Sequence, residues 1–271
     1  MPISIIRINV KDVQRSVDFY ASHLGATLVG EATADAAELD VVTATLQLTR
    51  TPEPIPSTWI PDDLQRGFRH VGFKVAAVDP LVAELDKSDV EFHLRPLDAE
   101  GDVRIAFFFD PDGTLLELVE GDLNYHDVHD AHGVMREREL GAPARPRFDH
   151  IGVTAASLES IRERYKPFGF DRIGSIHQVS DPRGFEIDYL KGGPTVLEVF
   201  TFTAPTFERP AQQGALGFAS IAIDPDTVVS TPTADEFRSV SASSIGQEFG
   251  TAADGSTLYT DSDGLPVSVA R

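Results

Sequence analysis

One pattern runs through this chain four times, and it constrains the fold more tightly than anything else in the sequence. Two stretches carry it in full. The first opens with FRHVGFKV at 68–75, continues through a helix-like segment, and closes with GTLLELVE at 113–120. The second opens with RFDHIGVT at 147–154 and closes with PTVLEVF at 194–200. His70 precedes Glu117 by 47 residues, and His150 precedes Glu198 by 48. Duplication of one strand-helix-three-strand unit explains that agreement, and such repeats outweigh single motifs in fixing an architecture.

The same order recurs at both ends. Ile3 to Val10 alternates in the strand manner, and Asp12 caps VQRSVDFYASHL, whose Val13, Val17, Tyr20 and Leu24 recur at helical spacing until Gly25. ATLVGE, AELDVV and ATLQLTR then supply three strands. Near Gly214 a last unit begins: ALGFASIAID, a short helix about ADEFRSV, then SSIGQEF, STLYTD and LPVSVAR. Aligned on their first strands, the units place Ile5, His70, His150 and Phe218 in register; aligned on their last, Gln47, Glu117, Glu198 and Ser268. The expected organisation is two tandem halves. Residues 1–124 hold units 1–50 and 68–120, residues 147–271 hold units 147–201 and 214–271, and 125–146 is a His-rich linker.

These units, with HVGFKV and DPDGTLLELVE, resemble the vicinal oxygen chelate superfamily of glyoxalase I, extradiol dioxygenases, epimerases, and bleomycin and fosfomycin resistance proteins. The resemblance covers nearly the whole chain and is weakest over the fourth unit. It implies an α+β fold of four βαβββ modules in tandem, forming two cup-shaped mixed sheets with helices on the outside. It further implies that two modules share one cup, each giving a first-strand and a last-strand position. Pairing units one with two and three with four would leave two ligands per cup. Pairing two with three collects His70, Glu117, His150 and Glu198 together and leaves Ile5, Gln47, Phe218 and Ser268 in the other cup. The second pairing is expected, because it concentrates every ligand in one place.

The residue types suit a metal. Side chains alternate along a strand, so Phe68, His70, Gly72 and Lys74 should share one face and Val71, Phe73 and Val75 the core face. A carboxylate in an apolar strand such as LLELV is costly unless paired, and two such carboxylates each matched to a histidine suggest one shared cation. The chain has no cysteine, which excludes disulfides and thiolate chemistry. One divalent ion held by His and Glu, whether Ni, Co, Mn, Fe or Zn, is therefore expected.

A net charge of −20 repels phosphate backbones, so no nucleic-acid partner is expected. No apolar run approaches 18 residues, and the start enters a strand pattern without a leader, so no membrane partner and a cytoplasmic location are expected. The expected partner is a small-molecule substrate, with the protein a monomer or homodimer.

His126, His129 and His132 in the linker read either as a second metal site or lid, or as a solvated crossover. His23, His93 and His177 have no matched partners and read as structural or exposed. Trp59 reads as a packing anchor. Phe107, Phe109 and Tyr189 suit either cup lining or core, and Arg69, Arg104 and Lys74 are candidates for anchoring an anionic substrate.

The leading expectation is a metal-dependent isomerase, epimerase or lyase of the glyoxalase type. Its substrate would chelate the metal through adjacent oxygens, and Glu117 or Glu198 would act as catalytic base while the metal stabilises an enediolate. The alternatives are an extradiol-type Fe(II) dioxygenase acting on a catechol, and a metal-free binding or resistance protein. The dioxygenase resemblance expects a His and a Glu in the fourth unit, where Phe218 and Ser268 stand.

Overall fold

The computed structural model describes residues 2–224 and 244–269. Unit one gives β1 (Ile3–Val10), α1 (Val13–Leu24), β2 (Thr27–Val29), β3 (Ala36–Asp40) and β4 (Thr45–Arg50). Unit two gives β5 (Gly67–Val75), α2 (Val78–Leu85), β6 (Phe92–Ala99), β7 (Val103–Phe109) and β8 (Leu115–Glu120). The linker forms β9 (Asp127–Val128) and α3 (Ala131–Glu139). Unit three follows with β10 (Arg147–Thr154), α4 (Leu158–Tyr165), β11 (Asp171–Gln178), β12 (Phe185–Gly192) and β13 (Thr195–Phe202). Unit four supplies β14 (Gly217–Ile223), β15 (Gln247–Thr251), β16 (Thr257–Thr260) and β17 (Pro266–Val269). The helix expected about ADEFRSV lies outside the described residues.

The strands form two mixed sheets. One runs β15-β16-β17-β14-β1-β4-β3-β2, from units four and one; the other runs β6-β7-β8-β5-β10-β13-β12-β11-β9, from units two and three. In each, the first strands of the two units meet antiparallel at the centre, and each first strand runs parallel to the last strand of its own unit.

The expected cup shape is not what forms. Both sheets are open: β6 and β9 end one, β15 and β2 end the other, and the outer strands do not pair. The central antiparallel join sends the two units outward in opposite directions, and the outer strands stay unpaired although Glu100, just past β6, lies 3.6 Å from His126, just before β9. β6 is blunted as an edge by Pro96, which has no N–H to offer a further strand.

Alternation sorts the two faces as the apolar pattern requires. Val71, Phe73, Leu116, Leu118, Ile151, Val153, Leu197 and Val199 join one continuous core with Val78, Val82 and Leu85 of α2 and Ile161 and Tyr165 of α4. Phe68 departs from this expectation. It lies in that core, stacked on Phe218 at 3.7 Å, rather than on the face of His70. Residue 69 causes the switch, because Gly152 pairs with His70 while Val153 pairs with Phe68. Arg69 is thus the extra residue of a β-bulge, and beyond it the alternation inverts.

Two buried clamps tie the tandem units to each other. Tyr20 of α1 donates to Asp110 Oδ2 at 2.8 Å, and Tyr165 of α4 donates to Asp261 Oδ2 at 2.8 Å. The other oxygen of each aspartate accepts two backbone N–H groups of its own turn, DPDG or DSDG. The clamps join unit one to two and three to four, while the sheets join one to four and two to three.

Candidate metal centre

His70 and His150 lie on β5 and β10, side by side at the centre of one sheet, and Glu117 and Glu198 come from the parallel neighbours β8 and β13. All four are buried, and their ligating atoms lie within 4.8 Å of one another. His70 Nε2 is 3.0 Å from His150 Nε2, 3.0 Å from Glu117 Oε2 and 3.1 Å from Glu198 Oε2. His150 Nε2 is 2.8 Å from Glu117 Oε2 and 3.5 Å from Glu198 Oε2.

Hydrogen bonding alone fits these contacts poorly. Each Nε2 carries at most one proton, and two protons would point at each other across the 3.0 Å gap between the rings. The separations instead match the edges of a shell around one ion. Ligands at about 2.1 Å stand about 3.0 Å apart in an octahedron and about 3.4 Å apart in a tetrahedron. The residues present therefore fit a divalent cation, with imidazole and carboxylate donors suited to first-row metals.

Two features of the site escaped sequence reasoning. The first is the glycine in each H-x-G. Gly152 faces His70 across the central strand pair and Gly72 faces His150, so each imidazole lies over the other unit's glycine. A Cβ at Gly72 would stand 2.0 Å from His150 Cε1, and one at Gly152 would stand 2.2 Å from His70 Cε1. Neither glycine has a positive φ, so what each supplies is space.

The second is Asp149. Phe148 pairs with Phe73 and His150 with Gly72, leaving Asp149 as a bulge residue like Arg69. Its Oδ2 is 3.1 Å from His150 Nδ1, an arrangement that places the proton on Nδ1 and turns the Nε2 lone pair toward the cluster. Burial opposes its charge, but His150 outweighs that and holds the Asp149 carboxyl down at about 2. The signal was a carboxylate next to a histidine, which strand alternation assigns to opposite faces.

A cavity of about 280 Å³ opens beside the cluster, lined by His70, Glu117 and Glu198 together with Arg69, Phe107, Ile187, Tyr189 and Phe200. Phe107 meets the His70 ring edge-on at 5.2 Å. Burial, and then the Glu198 carboxylate, push the Tyr189 phenol well above its ordinary range. His93 also lines the cavity, edge-on to Phe107 and Phe109, and no repeat marked it in sequence. Phe109 itself packs edge-on against Trp59.

Other expected residues lie elsewhere. Arg104 is held at the surface by Asp79 and Asp98, and Lys74 donates to the Gly121 carbonyl. Among the described residues the linker histidines join no such ligand group. His126 faces Glu100 and the His177 ring, His129 approaches Ser175 Oγ at 3.3 Å, and His132 sits in the first turn of α3. The linker reaches the neighbourhood through Tyr125 instead, which meets the Tyr189 ring at 5.1 Å and donates to Glu137 of α3.

The sheet of units four and one repeats this geometry without the ligands. Ala222 pairs with Ser268 as Gly152 pairs with Glu198, which puts Ser220, not Phe218, at the position of His150. Both sheets carry the same bulge, at Asp149 between the pairs Phe148–Phe73 and His150–Gly72 and at Ala219 between Phe218–Ile8 and Ser220–Arg7, so the two registers correspond. Arg7 stands where unit two has Gly72, and its guanidinium donates to Gln47 Oε1 at 3.0 Å, Ser268 Oγ at 2.9 Å and Asp254 Oδ2 at 2.5 Å. A fixed organic cation occupies the counterpart of the candidate metal position.

Comparison with known proteins agrees with this architecture. A profile of the Glyoxalase/Bleomycin resistance protein/Dioxygenase superfamily matches residues 3–118. The uncharacterized protein YwkD of Bacillus subtilis (strain 168) is 31% identical over 121 residues, covering 42% of this chain and 93% of its own length. Among solved structures, glyoxalase I from Zea mays is similar over 99% of this chain and 91% of its own, with TM-score 0.65 and 17% identity. A putative dioxygenase from Bacillus subtilis subsp. subtilis str. 168 is similar over 100% of this chain and 84% of its own, with TM-score 0.58 and 17% identity. At that identity the two structures share the fold alone. The chain belongs to the glyoxalase/bleomycin resistance/dioxygenase superfamily, in a tandem-repeat form with a buried two-His, two-Glu site able to chelate a divalent metal. No helix among the described residues is long and apolar enough to cross a membrane.

Proposed function

We propose that the protein is a metal-dependent isomerase, epimerase or lyase of the glyoxalase type, acting on a small substrate with adjacent oxygens. The observation that carries this reading is the convergence of His70, Glu117, His150 and Glu198 at the wall of a mostly apolar cavity. A bound ion there supplies Lewis-acid polarisation of the substrate's oxygens. The four side chains would hold the ion, with Asp149 fixing the ring of His150.

Glu198 is the better base. Both carboxylates border the cavity, but Glu117 lies within 3.0 Å of both imidazoles, whereas Glu198 is 3.1 and 3.5 Å away and pairs across the sheet with Tyr189. Glu198 would take a proton from the carbon next to the polarised carbonyl and return it to the same or the neighbouring carbon. Tyr189, kept protonated, can donate to that carboxylate and hold it in place. Phe107, Ile187 and Phe200 keep water from the reacting carbon. With four protein donors, fewer positions stay open for a catechol and dioxygen than in a two-His, one-carboxylate iron site, which disfavours the dioxygenase reading.

Proton exchange tests this without knowledge of the product. Protein loaded in turn with Ni, Co, Mn, Fe and Zn is incubated in D₂O with small α-hydroxycarbonyl compounds and followed by proton NMR. Loss of the C–H signal is expected with at least one metal. Glu198→Gln should slow it about 10²–10⁴-fold while keeping the ion. No exchange with any metal, or near-normal exchange in both Glu117→Gln and Glu198→Gln, contradicts the proposal.

A further inference from the structure

The cavity beside the cluster has a positive charge in its wall that no carboxylate among the described residues contacts as an ion pair. Arg69, the bulge residue of β5, is 2% exposed and lines the same cavity as His70, Glu117 and Glu198. Bulges next to functional sites commonly re-aim one side chain, and without the extra residue an arginine here would lie on the opposite face from His70. One terminal nitrogen donates to the Ile60 carbonyl at 2.9 Å, and the other makes a long contact of 3.5 Å to the Gln65 carbonyl. Its Nε is buried with no hydrogen-bond partner. The Trp59 ring lies 5.1 Å from the guanidinium carbon.

No carboxylate among the described residues forms an ion pair with Arg69. Asp63, which also lines the cavity, is paired with Arg183 at 3.3 Å, and Asp62 accepts the Leu64 N–H at 3.0 Å. A second guanidinium, Arg209, lies near enough to feel the Arg69 charge, and among the described residues its hydrogen bond is to Thr58 Oγ1 at 3.4 Å. Asp63 and Asp62 are near enough to favour the Arg69 charge, but neither is in ion-pair contact with it. A largely buried charge is costly unless something pairs it.

We propose that Arg69, supported by Arg209, binds a carboxylate of the substrate, so that the substrate is a small acid with adjacent oxygens at one end and a carboxylate at the other. The inference rests on the metal reading above. The planar fork of an arginine matches a carboxylate, and the Ile60 and Gln65 carbonyls engage only two of its five N–H donors. Phe107, Ile187 and Phe200 would contact the apolar middle of such a molecule. At about 280 Å³ the cavity is near the lower end of ligand sites, which run from about 300 to 1,000 Å³, so the acid is compact.

Titration calorimetry with 3,4-dihydroxybenzoate and catechol on zinc-loaded protein tests this. Both offer adjacent oxygens to the metal and one adds a carboxylate. The acid is expected to bind about tenfold or more tightly than catechol. That advantage should vanish in Arg69→Gln and shrink in Arg209→Gln, whose side chain is only partly buried, while zinc content and catechol affinity stay unchanged. Equal affinity of the two ligands for the unmodified protein overturns the inference and leaves the metal reading standing. If zinc adds nothing to the affinity of either ligand, the metal reading fails, and Arg69 is judged by the same comparison on zinc-free protein, where equal or absent binding overturns it.

Discussion

Alanine at Gly72 or Gly152 is expected to weaken metal binding as severely as loss of a ligand's supporting partner, by about 10–100-fold or more. The added Cβ would stand 2.0 Å from Cε1 and 2.2 Å from Nε2 of His150, or 2.2 Å from Cε1 and 2.5 Å from Nδ1 of His70. Neither ring can retreat cheaply, because the central strands are held in register on both sides. The imidazole must swing off the cluster or the two strands must part. Calorimetric titration with Zn²⁺ measures the loss, and far-ultraviolet circular dichroism shows whether the sheet survives. Unchanged affinity in both variants would mean that the imidazoles do not use the space above the glycines.

Metal uptake is also expected to release protons at neutral pH and to weaken as the pH falls. In the metal-free cluster, burial disfavours the imidazolium form of His70, but Glu117 and Glu198 outweigh it and raise its pKa. The same contest, with Asp149 added, raises His150 well above 6.5. Burial likewise disfavours the Glu117 carboxylate, and the two histidines overcome that and bring it down to about 2. The signs follow from linkage. The raised histidines contribute stability fully present below about 6.5, which is lost as the pH rises through their folded values. Glu117 contributes stability present above its ordinary range of about 4.3, lost as the pH falls toward about 2.

The metal-free protein is therefore steadied by ion pairs that a metal must displace, because a ligating imidazole has to be neutral. Zinc titrations at pH 7 in buffers of different ionisation enthalpy should report protons released per ion bound, and affinity should climb with pH. At a hundredfold excess over Kd the ion should add about 2.7 kcal/mol of stability. No proton release at pH 7 would show that the histidines are already neutral before the metal arrives.

The clustering of His70, Glu117, His150 and Glu198 was legible because duplication displays the pattern twice: a lone His70 is ambiguous, whereas two His-to-Glu spacings of 47 and 48 residues point to one arrangement. The same counting favoured pairing unit two with unit three, and β5 and β10 do lie side by side. What stayed hidden depends on single-residue shifts. Bulges at Arg69 and Asp149 move two charged side chains off the faces that alternation assigns them, and strand register makes Ser220, rather than Phe218, the fourth unit's counterpart of His150. The roles of Gly72 and Gly152 depend on which strand lies opposite, which spacing within a unit does not reveal. The open edges depend on how two units join. The evenly spaced linker histidines suggested a site, but β9 and α3 turn them toward separate partners.

The central claim, one ion shared by units two and three, is tested most directly by the metal content of protein purified without chelators. About one first-row divalent ion per chain is predicted, lost in His70→Ala and equally in His150→Ala although the two residues lie 80 positions apart. A well-folded protein that takes up no divalent ion at neutral pH, or one that keeps its ion when both histidines are replaced, would contradict it.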